Sequence, residues 1–161
     1  MKVKDLLDDR NLEYFYIMHL SYNGYYRKEM WDYANKFELI GLDHKNVKGN
    51  WVDIPVHIKE SVSSLWFNQF ELFCNMNKGD IVLIFNGWDS LLGVGETTTH
   101  KHNFNIKLTD VFFNHIRKIN WIKKYEYAKR KLLIQPITFL NTLSLVTPYS
   151  KRWSSLINED I

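Results

Sequence analysis

The sequence predicts an α+β fold, a strongly bent mixed sheet or partial β-barrel with flanking helices. Three observations lead there. Runs rich in β-branched and aromatic residues recur along the chain, helix-like stretches fall between them in irregular order, and no repeat, low-complexity tract or linker divides the sequence. At 161 residues the chain suits one domain, 1–161, and is too short for two comfortable ones.

Taken in order, "EYFYIMHLS" (13–21) reads as a first strand and Asn23-Gly24 as a turn. "YRKEMWDYANK" (26–36) places Met30, Tyr33 and Ala34 at helical spacing, with charges between them. "FELIGLD" (37–43) reads as a second strand, followed by a polar loop over 44–53. Pro55 suits the first turn of a helix that Val62, Leu65, Trp66, Phe70 and Phe73 continue to about Met76. "KGD" (78–80) stops it. "IVLIF" (81–85) is a continuous apolar run of the kind buried on both faces, and "LLGVGETTT" (91–99) returns antiparallel to it. "HKHNFN" (100–105) reads as loop and 111–122 as a further strand. The remainder, about 124–161, is expected to be a basic helical part broken near Pro136 and Pro148.

Composition excludes several classes. Charged residues are 24% of the chain, unlike a disordered or membrane-embedded protein, and no apolar run approaches the roughly 20 residues a bilayer requires. "MKVKDLLDDRN" carries acids where a signal peptide needs its apolar centre. A single cysteine, Cys74, fits a reducing compartment or simple packing. A cytoplasmic location is expected, with no membrane partner.

Charge is unevenly spread. Residues 117–152 hold nine basic side chains against one acid, Glu126, which suits a phosphate-attracting surface. Aromatic residues make up 16%, with six tryptophans. Most must pack in the core, and the rest are candidates for stacking on nucleobases. Trp88 stands out because it sits among Asn86, Gly87, Asp89 and Ser90 at a hairpin tip.

Catalytic signatures are lacking. "GVGETT" has two glycines of a dinucleotide fingerprint without the third, and there is no P-loop and no H-E-x-x-H. Gly93 and Gly95 fit instead a strand that another group approaches closely. Asp80 and Glu96 flank the hairpin without the company a metal-dependent nuclease needs. The chain is read as no enzyme, with no metal and no cofactor.

The order of pieces, with "KGDIVLIF" and its glycine-spaced return strand, "IGLD" and "HIRKINW", resembles the EVE and YTH branch of PUA-like domains. It resembles in particular the DNA-binding domains of McrB-type modification-dependent restriction proteins, over roughly 13–125. The resemblance implies a DNA-binding specificity domain that reads a flipped, methylated base in an aromatic-lined pocket. It implies partners elsewhere: a C-terminal AAA+ motor domain and a nuclease subunit. RNA carrying a modified base in a single strand, or a partner protein docked on the basic tail, are the alternative readings.

Base flipping has a physical rationale, because a modified base is inspected closely only after leaving the stack. By the resemblance, Tyr22 and Asn23 line the pocket at the end of the first strand. Relatives read I-G-W where this chain has Ile40-Gly41-Leu42, so Leu42 replaces an aromatic wall. Asp43 is placed to accept from an exocyclic amine and Trp51 to supply the missing stack. Trp88, His102 and Phe104 complete the expected pocket. Arg27, Lys28, Arg117, Lys118, Lys123 and Lys124 are the expected phosphate contacts.

Overall fold

A computed structural model describes residues 1–20, 26–100, 102–104, 113–133, 142–148, 150 and 153–161. Its strands are β1 (Phe15–His19), β2 (Leu39–Leu42), β3 (Ile81–Asn86), β4 (Ser90–Thr97), β5 (Asn103–Phe104), β6 (His115–Lys124), β7 (Lys131–Leu132) and β8 (Leu143–Val146). Among the described residues they form one sheet in the order β2-β6-β4-β3-β1-β8, with β5 added to β6 and β7 to β4. β1 and β3 run parallel and the other pairs antiparallel. The sheet is mixed and strongly curled into a half-barrel, and the fold is α+β.

Both faces of the central strands are covered, which explains the unbroken apolar run at 81–85. Successive side chains alternate between two cores. Tyr16, Met18, Val82 and Ile84 face one side, with Met30, Trp31 and Ala34 of α2 (Arg27–Phe37) and Phe70 and Phe73 of α4 (Ser64–Asn75). Phe15, Ile17, Ile81, Leu83 and Phe85 face the other. There they meet Val3, Leu6 and Leu7 of α1 (Val3–Asp8) and Leu156 and Ile157 of α5 (Ser154–Ile157).

The glycines of β4 accommodate an indole layer. A Cβ on Gly93 would lie 2.8 Å from Trp31 Cη2 and 2.9 Å from Trp121 Cζ3. The two indoles meet edge to face at 4.9 Å, and Trp31 Nε1 donates to the Tyr125 carbonyl at 2.9 Å.

Three expectations need correction. The helix expected from Pro55 to Met76 is two, α3 (Val56–Ser61) and α4, because Ser63 accepts from the Trp66 amide and caps a new start. The stretch read as loop at 100–105 contains β5. The tail expected to be helical contributes two strands instead, and among its described residues the only α-helix is the four-residue α5. Leu143 and Val146 are buried in the two opposite cores while Leu145 is exposed, in a short strand lying beside β1. The turn expected at Asn23-Gly24 and the break near Pro136 lie outside the described residues. No described helix is long and apolar enough to cross a membrane.

Candidate functional site

β2 and β1 stand near opposite ends of the strand order, so they do not pair. The curl brings their C-terminal ends to one cleft. Met18, His19 and Leu20 form one side of it, and Gly41, Leu42 and Asp43 the other. Trp66 from α4 and Phe113, just before β6, supply aromatic walls. The cleft encloses about 50 Å³, room for a few waters with its walls as placed.

Gly41 is required by the geometry. A Cβ there would fall 2.3 Å from Phe113 Cβ and 2.8 Å from the His115 carbonyl oxygen, so the phenyl group seats directly on the β2 backbone. Asp43 is held by Asn114, whose Nδ2 donates to Asp43 Oδ1 at 2.9 Å. Asn114 Oδ1 is itself buried without a partner. Trp66 is half-buried and meets His44 edge to face at 5.1 Å. His19 accepts at Nε2 from the Gly87 amide at 2.9 Å. Burial, and secondarily the nearby Arg27 charge, push its pKa down to about 4, so the ring is neutral near pH 7.

The expected pocket residues are only partly brought together. Leu42 and Asp43 line the cleft; Tyr22 and Asn23 lie outside the described residues. Trp51 does not replace the missing wall. It is buried, stacked on Phe70 at 4.9 Å, with its backbone N–H donating to His102 Nε2 and its Nε1 to Glu71 Oε1 at 2.6 Å. Burying an indole whose N–H is satisfied favours this core position over a loop stack. His102 lines a different cavity, with Cys74 and Asp53, and its Nδ1 lies 3.4 Å from Cys74 Sγ. Burial, with the neighbouring His115 and Arg117, lowers the His102 pKa to about 4, while burial raises the Cys74 thiol to about 12. Phe104 packs on His115 at 4.9 Å. Trp88 is 58% exposed at the hairpin tip and lines a separate groove with His19 and Arg27.

Of the expected phosphate contacts, Arg117 is the clear correction. It is 1% exposed, and its guanidinium donates to the carbonyls of Phe73, Cys74 and Thr99. Those partners fasten the C-terminal turn of α4, whose last carbonyls have no helical donors. Lys118 is exposed and donates to the Phe37 carbonyl, Lys28 pairs with Asp32, and Lys123 lies over Tyr125. Lys123 and Lys124 are both exposed. The hairpin acids have structural work: Asp80 accepts from the Asn77 amide, and Glu96 pairs with Arg10. Among the described residues no group of three His, Cys, Asp or Glu side chains is placed to hold a metal ion.

Sequence reasoning missed Met18, His19, Trp66 and Phe113 as cleft residues. Trp66 sits at helical spacing with core residues, and no local pattern shows that Phe113 meets Gly41. A family model described as Domain of unknown function (DUF8426) matches residues 19–150. The chain belongs to this family. Comparisons with curated proteins and with solved structures found no match. The DUF8426 span takes in every cleft residue named above except Met18, and leaves α1 and α5 outside it.

Proposed function

We propose that this DUF8426 chain is a nucleic-acid-binding domain of PUA-like, EVE/YTH-type fold that reads a flipped, modified base. The observation that carries the proposal is the cleft. Its aromatic walls, Trp66 and Phe113, and its carboxylate, Asp43, are gathered at the ends of two strands by the curl of the sheet. Aromatic faces compensate a base for lost stacking, and a fixed acceptor reads an amine edge. The cleft as placed is too small for a base, so entry moves a wall. Trp66, half-buried on the helix surface, is the wall that swings. The similarity of "KGDIVLIF" and "HIRKINW" to restriction specificity domains supports DNA as the polymer. It also supports a motor and a nuclease in other domains or subunits.

Fluorescence anisotropy on matched duplexes, unmodified or carrying one N6-methyladenine or 5-methylcytosine, tests this. One modified duplex is expected to bind at least about tenfold tighter, a difference of about 1.4 kcal/mol, and the preference should survive added salt. Trp66→Ala should remove that preference and leave affinity for the unmodified duplex in place. Equal, salt-sensitive binding of all three duplexes would sink the base-reading proposal.

A further inference from the structure

The groove at the hairpin tip is distinct from the cleft and shares one wall with it, His19. Its volume is about 420 Å³, and Arg27, Gly87, Trp88 and Asp89 form its remaining sides. Two features of this groove are left unexplained by folding. Trp88 is 58% exposed at the hairpin tip, a large apolar side chain that fills no core there. The Arg27 guanidinium has its Nε buried without a hydrogen-bond partner, while its Nη1 reaches Asn86 Oδ1 only at 3.5 Å. Among the described residues Arg27 makes no ion pair. A buried donor left unmet is costly, and a guanidinium with free donors matches the oxygens of a phosphate.

The tip is also fixed in place. The neutral His19 ring accepts from the Gly87 amide, the Leu133 amide donates to the Asp89 carbonyl at 2.7 Å, and the Ser90 hydroxyl engages the Asp89 carboxylate. A positioned tip presents its tryptophan without first having to order a loop.

We infer that this groove holds the nucleotide next to the flipped one, with Trp88 stacked on its base and Arg27 paired with the phosphate between the two. The assignment of the neighbouring nucleotide rests on the base-reading function proposed above. The stacking and phosphate contacts themselves do not, because every base has a face to stack and every strand has a backbone. His19 then separates the two subsites and is shared by both.

The test uses fluorescein-labelled dT12 and rU12 beside the three duplexes, with Trp88→Ala and Arg27→Gln. Trp88→Ala is expected to weaken single-strand binding by about 5- to 150-fold, the range of one stacked base. Arg27→Gln should lower the slope of log K against log salt by about 0.7, one phosphate on a single strand. Photocrosslinking of wild-type protein to 5-bromodeoxyuridine-substituted dT12 should label the peptide containing Trp88, a readout that needs no folded variant. Comparing dT12 with rU12 identifies the sugar. Unchanged affinity and slope in both variants, with crosslinks elsewhere, would overturn the inference. Loss of binding in both variants without any modified-base preference would retain the groove and sink the base pocket. A modified-base preference untouched by either variant would do the reverse.

Discussion

Arg117→Met separates a structural arginine from a phosphate ligand. The substitution keeps an unbranched side chain reaching about as far as the arginine Nε, and drops the guanidinium, in a site where the native residue is 1% exposed. It removes donors from three carbonyls, those of Phe73 and Cys74 in the last turn of α4 and that of Thr99 after β4. Each buried acceptor stranded this way costs about 1–3 kcal/mol. Water recovers part of that, and the variant also escapes the desolvation of a buried cation. The expected net loss is about 3 kcal/mol. For a chain of this length that corresponds to a fall in Tm of roughly 10 °C.

Urea and thermal unfolding followed by circular dichroism measure this directly, with anisotropy on an unmodified duplex run at a temperature where the variant is folded. Duplex affinity should change by less than about twofold, because a surface phosphate cannot reach a guanidinium enclosed by three carbonyls. Arg117→Lys should restore only part of the stability, since one ammonium cannot bridge α4 and the segment after β4 together. A variant with unchanged Tm and about tenfold weaker DNA binding would refute the structural assignment. It would favour the phosphate role that the local charge led one to expect.

Gly93→Ala should destabilise the fold by about 1–3 kcal/mol in urea melts, because its Cβ would press on Trp31 and Trp121, which already touch each other; an unchanged midpoint would show that the indole layer gives way freely. For pH, His19 and His102 both have folded pKa values lowered to about 4 from the ordinary 6.5, so their contribution is complete above pH 6.5. It is lost as pH falls from 6.5 toward 4, where the unfolded chain takes up protons the folded one refuses. His102→Gln should therefore flatten the decline of Tm across that window, and a parallel decline in variant and wild type would show that His102 is not held neutral.

The central strands were legible because their signal is local. Residues 81–85 are apolar without interruption, and burial on both faces requires that of any sequence. Arg117 was misread although its signal was present: period-two alternation along β6 places it on the face of His115 and Ile119, which are buried, while Lys118 and Asn120 are exposed. Counting charge over a window hid that alternation. Trp51 lay in a polar loop by sequence, and only its contacts with Phe70, Glu71 and His102 settle its place. β8 has just two buried residues in four, at an edge, too few to stand out from a basic tail.

The cleft is the least legible part because it exists only where the sheet fails to close. An open sheet edge leaves backbone groups without partners, and here one helix serves that edge and furnishes the site together. Gln69 of α4 is 2% exposed and its Oε1 accepts from the Leu143 amide of β8 at 3.1 Å. Trp66 stands three residues earlier, so the two side chains lie on neighbouring parts of one helix face. The contact that fastens α4 to one side of the seam thereby sets the stretch of helix from which Trp66 reaches the cleft. On the opposite side, Gly41 lets Phe113 down onto β2, and Asn114, the next residue, holds Asp43. Each wall is therefore set by a contact between segments far apart in sequence, which is why spacing within any one segment reveals none of them. The cleft's small volume follows from the same arrangement. α4 is anchored by Gln69 to β8 and by Arg117 at its C-terminal turn, so the base-reading proposal requires Trp66 to rotate about its side-chain bonds while the helix stays in place.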